Sequence, residues 1–297
     1  MNTQFANALR VSVVVPTRHR DEMLAETLTR LAPGAQTGVP DEWYEVIVTD
    51  NGQTSTAESM IVERFPWVRW VKGPGGGPAD NRNNGIQFAR AAWVAFTDDD
   101  CTPDTGWLKG YIQAIEAACG SGEKLPVAFE GAIDALGAFP VDLAECPANL
   151  NGGCFWTANV MVRREVFAQV GGFDTSFPNN TGGEDHELYL RLRKLGPVPF
   201  VPRARVSHPV RQLSVREAAR NAPARAVAWS HCIMKHPAEL MEKGEKSVAG
   251  RMIRAQVASV KTAILRRYWG EAVAMAISLP RVALAVNRHV KKVQQSA

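Results

Sequence analysis

The chain has 297 residues, 45% of them hydrophobic, and a formal net charge of +4, enough apolar material for one large core or a core with an appendage. Five cysteines, an odd number with no Cys-x-x-Cys pair, exclude a disulfide framework and zinc spacing and fit a reducing, cytosolic compartment. The Met-Asn-Thr-Gln-Phe-Ala-Asn start lacks the basic and apolar parts of a signal peptide, and no segment offers about 18 uninterrupted apolar residues, so no membrane span is expected.

In chain order, Val11 to Pro16 is a β-branched run closed by proline and reads as a strand, and Glu22 to Leu31 has helical spacing in Met23, Leu24, Leu28 and Leu31. Tyr44 to Thr49 predicts a second strand, Thr56 to Phe65 a second helix and Val68 to Val71 a third strand. Ala79 to Ala92 then predicts a helix and Trp93 to Thr97 a fourth strand. Such repeated β-α units imply an α/β fold, a mostly parallel sheet with helices on both faces. Further on, Val160 to Arg163 reads as a strand, and Leu188, Leu190, Leu192 and Leu195 mark a helix.

Near Gln212 the chain changes character. Residues 1–210 hold 18 Lys and Arg against 25 Asp and Glu, whereas residues 211–297 hold 16 against 5. This basic third predicts long helices over about 214–234, 247–267 and 270–291, with Pro280 kinking or dividing the last.

In a parallel sheet, ligands bind beyond the carboxyl ends of the strands. Three polar clusters follow strands at those ends: Thr17-Arg18, Asp50-Asn51 and Asp98-Asp99-Asp100. Three adjacent carboxylates repel one another, and a divalent cation, waters or ligand donors would offset their charge; an acidic solvated turn is the plainer alternative. Pro16-Thr17-Arg18-His19-Arg20 offers a hydroxyl and two guanidinium groups to a base, ribose or phosphate, or is simply a solvated basic loop. Asp50-Asn51-Gly52 can meet a pyrimidine N–H or ribose hydroxyls, or merely turn the chain. Gly73-Pro74-Gly75-Gly76-Gly77-Pro78 leads to a helix start where phosphate could sit near Arg82, although the spacing is that of neither a P-loop nor a dinucleotide fingerprint.

The ordered set resembles the inverting family 2 glycosyltransferases. It comprises Val-Val-Val-Pro-Thr (13–17), Val-Thr-Asp-Asn-Gly (48–52), Arg-Asn-Asn-Gly-Ile (82–86), Phe-Thr-Asp-Asp-Asp (96–100), Gly-Gly-Phe-Asp (171–174), Gly-Glu-Asp-His-Glu-Leu (183–188) and Ala-Arg-Val-Ser-His (204–208). The resemblance covers residues 11 to about 209. It implies a GT-A fold, a Rossmann-like central sheet flanked by helices, with residues 1–105 forming the nucleotide-sugar half, 106–212 the acceptor half with the catalytic base, and 213–297 a helical extension outside it.

What the resemblance implies about residues follows motif by motif. Asp98-Asp99-Asp100 matches the Asp-X-Asp motif, with Asp100 holding Mn2+ or Mg2+ and Asp98 at ribose or metal, both hard oxygen ligands. His208 matches a histidine that reaches the same metal, and Pro16, Thr17, Arg18, Asp50, Arg82 and Asp99 fall at the nucleotide-sugar end. Asp185 matches the base that takes the acceptor proton, with Glu184 touching acceptor hydroxyls. Both also suit the first turn of a helix, where carboxylates meet the positive end of the dipole. Trp156 lies where the family lines its acceptor side, and either stacks on a sugar or packs in the core. Implied partners are a nucleoside diphosphate sugar and a glycan or lipid-linked acceptor.

Two departures leave the nucleotide base open: Asp50-Asn51 replaces a pair of acids common in the family, and Arg18-His19 replaces a common Tyr-Asn. From Thr262 to Val290 the tail mixes Ile264, Leu265, Trp269, Val273 and Ile277 with Arg266, Arg267 and Arg281. That pattern suits peripheral attachment to an anionic, cytoplasmic membrane face, or packing on the catalytic domain with a solvated basic side. A nucleotidyltransferase of related topology would carry a glycine in the first loop, which Pro16-Thr17-Arg18-His19 lacks. A non-catalytic nucleotide-sugar binder is the other class left open, while nucleic acid is not expected as a partner because the carboxylates crowd the site.

Overall fold

The computed structural model describes residues 9–54, 56–177, 182–242, 245 and 247–296. In chain order its elements are β1 (Val11–Thr17), α1 (Asp21–Arg30), β2 (Tyr44–Asp50), α2 (Glu58–Arg64), β3 (Arg69–Lys72), α3 (Pro78–Phe88), β4 (Trp93–Phe96), β5 (Thr102–Pro103) and α4 (Trp107–Gly120). Then follow β6 (Ala128–Leu136), β7 (Ala144–Glu145), β8 (Val160–Arg163), α5 (Arg164–Val170), α6 (Glu184–Leu195), β9 (Phe200–Pro209) and β10 (Arg211–Gln212). The chain ends in α7 (Val215–Lys235), α8 (Pro237–Leu240), α9 (Val248–Leu265) and α10 (Trp269–Ser296). Two compact units divide it: Met1–Leu136, Pro147–Thr175 and Leu188–Pro209 form the first, and Gly137–Cys146, Ser176–Glu187 and Val210–Ala297 the second.

The first unit is built on an eight-stranded sheet in the order β3-β2-β1-β4-β8-β6-β9-β5. The β3-β2-β1-β4 half is wholly parallel, as the β-α repeats imply. Beyond β4 the pairings are mixed: β4 with β8, β8 with β6 and β9 with β5 are antiparallel, and β6 with β9 parallel. Because both faces of the sheet are covered, β1 is apolar from Val11 to Val15 except for Ser12, whose buried hydroxyl donates to Glu45 Oε1 at 2.6 Å. Val11, Val13 and Val15 enter one core with Leu24, Leu28 and Trp107, and Val14 enters the other with Ile47, Phe96 and Phe167. The helix α3 lies tight on β1: a Cβ on Gly85 would stand 2.4 Å from Val14 Cγ1, which only glycine avoids.

β1 stays paired with β2 as far as Thr17 opposite Asp50, but its pairing with β4 stops at Val14 opposite Phe96. Pro16 therefore sits where one side of a central strand no longer needs its N–H. That opening, where the strand order reverses around β1, is the topological switch point at which α/β sheets bind ligands.

In the second unit α7, α9 and α10 pack together, with Ala226, Val282 and Val286 at their buried contact. Ser214 and Glu217 cap α7 reciprocally: Glu217 N donates to Ser214 Oγ (3.2 Å) and Ser214 N to Glu217 Oε2 (2.9 Å). Asp142 caps α10, accepting from Gly270 N (2.7 Å) and Glu271 N (2.8 Å). Pro280 does not divide this helix, which runs unbroken from Trp269 to Ser296. An 18-residue window within Trp269–Gln295 has mean hydropathy 1.3, so this helix is long and apolar enough to cross a membrane by length and composition, although Glu271, Arg281, Arg288, Lys291 and Lys292 interrupt the segment.

Candidate active site

The three strand-end clusters meet at the switch point. Thr17 Oγ1 donates to Asp99 Oδ2 (2.7 Å), Asn51 N donates to Thr17 O (3.0 Å), and Asn81 Nδ2 reaches Thr49 O (2.9 Å) and Thr17 O (3.4 Å). Hydrogen bonds thus tie together the carboxyl ends of β1, β2 and β4 and the start of α3.

Each acid of the triplet has its own surroundings. Asp98 Oδ1 pairs with Arg82 Nη2 at 3.0 Å, and the Arg82 guanidinium lies 5.8 Å from the Phe173 ring. Asp99 is buried, takes the Thr17 hydroxyl and, at 3.0 Å, the Arg20 guanidinium. Burial pushes its carboxyl up to about 6, opposed by Thr17 and Arg20 and reinforced by Asp100 and Asp98. Asp100 shares Arg20 through Oδ2 at 3.0 Å, while its Oδ1 is buried with no hydrogen-bond partner.

That Oδ1 stands 3.4 Å from His208 Nε2 at the end of β9. His208 Nδ1 is 2.8 Å from Pro209 O, and a carbonyl only accepts, so Nδ1 carries the proton. In neutral His208 the Nε2 lone pair then faces a carboxylate lone pair across 3.4 Å. Two acceptors so placed call for a positive species between them, and the Nδ1–H to carbonyl bond is the usual support of a metal-ligating imidazole. Among the described residues, Asp100, Cys101 and His208 bring ligand atoms within 4.8 Å of one another. Cys101 is the poor member of that group: burial, with Asp98 and Asp100 nearby, raises its thiol well above the ordinary range. A carboxylate and an imidazole fit Mn2+ or Mg2+, and Asp98 lies outside the converging group, with one oxygen on Arg82.

Arg18 is exposed, whereas Arg20, two residues on, bridges Asp99 and Asp100. The sequence offered both guanidinium groups in one basic loop, and only the fold separates them. Asp50 is 1% exposed and its oxygens build the loop after β2, accepting from Gly52 N and Ala57 N at 2.7 Å each. Asn51 holds the glycine-rich loop, with Nδ2 on Gly76 O (3.0 Å) and Oδ1 accepting from Gly75 N (2.9 Å). Pro16 is half-buried. Trp156 is half-buried against the core that holds Trp107 and Phe129. Two buried polar hubs carry no motif at all. Glu130 Oε2 accepts from Asn149 Nδ2 and from the N–H groups of Gly153, Cys154 and Phe155, at 2.8 to 3.1 Å. Asn159 takes Trp107 Nε1 (2.7 Å) and Tyr111 OH (2.8 Å) and donates to Ala132 O and Ala204 O.

In the second unit Glu184 and Asp185 open α6 with 6% and 8% exposure, and His186 N donates to Asp185 Oδ1 (2.8 Å). Glu187, one turn in, meets His236 Nε2 at 2.9 Å, and the His186 ring lies 5.0 Å from that of Trp229.

Comparison with known proteins supplies the context. Residues 12–125 match the model for glycosyl transferase family 2, and residues 139–209 the one described as the N-terminal domain of galactosyltransferase. A validoxylamine A glucosyltransferase of Streptomyces hygroscopicus subsp. limoneus is 30% identical over 276 residues, covering 78% of this chain and 58% of the relative. A pre-mycofactocin glycosyltransferase of Mycobacterium tuberculosis is 28% identical over 214 residues, covering 67% of this chain and 42% of its own length. The chain thus spans less than two thirds of either relative. Among solved structures, the mannosyltransferase PcManGT from Pyrobaculum calidifontis, in complex with GDP-Man and Mn2+, superimposes with a TM-score of 0.60 at 17% identity, over 93% of this chain and 87% of that one. Residues 1–349 of S. aureus TarS, in complex with UDP, give 0.55 at 15% identity, over 95% and 92%. The fold is the GT-A fold that the motifs implied, and residues 12–125 form a family 2 glycosyltransferase domain.

Proposed function

We propose that the protein is a metal-dependent inverting glycosyltransferase that moves a sugar from a nucleoside diphosphate sugar to an acceptor hydroxyl. The observation that carries this reading is the buried Asp100 Oδ1, without a hydrogen-bond partner and 3.4 Å from His208 Nε2 at the switch point. Asp100 and His208 would hold Mn2+ or Mg2+, with Asp98 beside them. Bound there, the cation supplies positive charge against the nucleoside diphosphate leaving group.

The remaining roles fall to the chain's own groups. Arg82 sits beside Asp98 at the start of α3, where phosphate oxygens gain from a guanidinium and a helix N-terminus together. Pro16, Thr17, Arg18, Asp50 and Asp99 shape the nucleotide end, Asp50 and Thr17 from within. Asp185 acts as base: as the acceptor oxygen bonds to the anomeric carbon and the bond to diphosphate breaks, the hydroxyl proton passes to its carboxylate. One displacement with one base inverts configuration. Glu184 and Trp156 belong to the acceptor side. The solved neighbours hold GDP-Man in one case and UDP or UDP-GlcNAc in another, so both nucleotides belong in a donor screen.

The second unit adds a surface. Leu265, Trp269, Val273 and Ile277 are 84%, 60%, 50% and 57% exposed, beside Arg266 and Arg267. Apolar side chains flanked by arginines fit an anionic membrane face, placing the enzyme peripherally on the cytoplasmic side, near a lipid-linked or glycan acceptor. Binding to anionic vesicles at low salt should vanish on removal of residues 262–297; unchanged binding refutes the surface.

Incubation with a panel of nucleotide sugars and Mn2+ tests the reaction. Free nucleoside diphosphate, dependent on metal and lost in Asp100→Ala, is the expected result. Pyrophosphate released from a nucleoside triphosphate would make the protein a nucleotidyltransferase instead, and no turnover of any donor would make it a binding protein. An α-linked product from an α-linked donor would overturn inversion.

A further inference from the structure

The second unit contains a cavity of about 470 Å3 that the proposed reaction does not yet use. Its walls come from α7, α9, α10 and the segment around Leu143. On α7 the lining positions include Ala218, Ala222, Ala226 and Trp229, successive turns of one helix face. Alanine there removes the side-chain volume that would otherwise close the gap between helices. The space is partly open to solvent, Trp229 in its wall being 43% exposed, so apolar lining stays in water until an apolar occupant covers it. At this size the space falls in the range of small-molecule sites, about 300–1,000 Å3.

The lining defines the chemistry of an occupant. Most of it is apolar, and its two arginines are already matched, Arg225 with Glu145 and Arg251 with Glu242 and Glu245; the remaining charged group, Glu271, is a carboxyl whose pKa burial pushes up. The space therefore favours an uncharged, apolar body over a phosphate or a carboxylate. A glycan chain would need a wall dense in hydrogen-bonding groups, and alanine, leucine and methionine dominate this one.

The cavity is also connected to the transfer chemistry. Trp229 forms part of the wall, and its ring lies 5.0 Å from that of His186. The backbone N–H of His186 in turn donates to Asp185 Oδ1 at 2.8 Å. The wall and the proposed base are thus linked by one side-chain contact and one hydrogen bond, all within the second unit.

We infer that this cavity is an acceptor subsite that holds the apolar body, aliphatic chain or ring, of an amphiphilic acceptor whose hydroxyl is presented to Asp185. The assignment rests on the glycosyltransferase reading, and it places acceptor selection in the helical extension rather than in the family core.

Calorimetric titration of the full-length protein with n-octyl β-D-glucoside below its micellar concentration, against methyl β-D-glucoside, tests it. The octyl compound should bind and the methyl compound should not. Ala222→Phe on α7 and Ser259→Trp on α9, which fill the space from opposite walls, should each weaken octyl binding about tenfold or more, with circular dichroism unchanged. Should either variant fail to fold, hydrogen exchange on the wild type replaces it: octyl glucoside should slow exchange across α7 around residues 218–229. Equal binding by the filled variants, equal binding of both glucosides, or protection confined to other elements overturns the subsite. Turnover of a nucleotide sugar without octyl glucoside binding overturns the subsite alone. Octyl glucoside binding without turnover of any donor overturns the transferase reading, and with it the role of the ligand as acceptor.

Discussion

Asp100→Asn separates the metal role of the triplet from its structural role. The substitution keeps the side chain's shape and leaves an amide oxygen for Arg20, but replaces the buried Oδ1 by an N–H donor that can point at His208 Nε2, 3.4 Å away in the wild type. Relieving a buried oxygen without a partner, and gaining a weak hydrogen bond, contributes about 1 kcal/mol. The loss of charge opposite Arg20, whose side chain is 51% exposed, costs less than about 1 kcal/mol. In chelator the two effects nearly cancel, and the melting temperature should stay within about 3 °C of wild type. With Mn2+ at about 100 times its dissociation constant, the wild type gains about 2.7 kcal/mol, or about 5–10 °C. The variant should show almost none of that gain. Scanning fluorimetry in chelator and in Mn2+ measures both quantities on the same samples. A variant that keeps the full Mn2+ shift refutes Asp100 as a ligand, and one that melts far below wild type in chelator refutes the account of its buried oxygen.

Asp185→Asn should lower transfer by about 10²–10⁴ while leaving nucleoside diphosphate binding intact, read by titration calorimetry; transfer within tenfold of wild type would move the base elsewhere. Asn159→Leu removes four partners at once, leaving Trp107 Nε1–H, Tyr111 OH and the carbonyls of Ala132 and Ala204 buried. At about 1–3 kcal/mol for each unsatisfied group, a loss of at least about 4 kcal/mol is expected in urea melts, and less than about 1 kcal/mol would refute the hub. His289 has its pKa lowered below its usual 6.5 by burial, by His231 and by Lys292. The unfolded chain then takes up that proton first, so its contribution to stability is present above about pH 6.5 and lost as pH falls below it. His289→Gln should flatten the fall in urea midpoint between about pH 7 and 5.5, whereas a midpoint that rises on acidification contradicts the sign.

The parallel half of the sheet was legible because its information is local. Val11 to Val15, apolar except for Ser12, fits a strand covered on both faces, and β1, β2 and β4 each end in polar residues that the parallel topology carries to one edge. The second half hides its signals. β6 has the buried Glu130 in its interior, whose four donors come from residues 149–155, and no spacing rule finds such a clasp. β7 is two residues long and pairs with β10, so that Glu145 meets Arg211 across 66 positions of sequence. Arg20 was visible only as one of two arginines in a loop; its bond to Asp100 spans 80 positions. Glu187, which reads as one more acid in the first turn of α6, is instead held by His236 from beyond the end of α7.

The triplet shows what the fold adds to a motif. By sequence the acids differ only in their match to a family pattern, and their mutual repulsion argues for a cation that serves all three. The protein meets most of that repulsion itself: Arg82 sits on Asp98, Arg20 bridges Asp99 and Asp100, and burial lets Asp99 hold a proton up to about pH 6. Three carboxylates against two guanidinium groups leave one charge unmatched above that pH. The buried oxygen of Asp100 without a hydrogen-bond partner marks where it resides, 3.4 Å from His208 Nε2. The proposed cation would therefore meet one oxygen and one nitrogen rather than the whole acidic run. The same arithmetic separates the arginines: Asp100→Asn should abolish the metal response, whereas loss of Arg20 would leave the ligands in place and raise the local negative charge, so Arg20→Ala should bind Mn2+ at least as tightly as the wild type. Titration of Mn2+ into Arg20→Ala decides it, and affinity falling alongside that of Asp100→Asn would mean that Arg20 positions the ligand oxygen rather than merely balancing its charge.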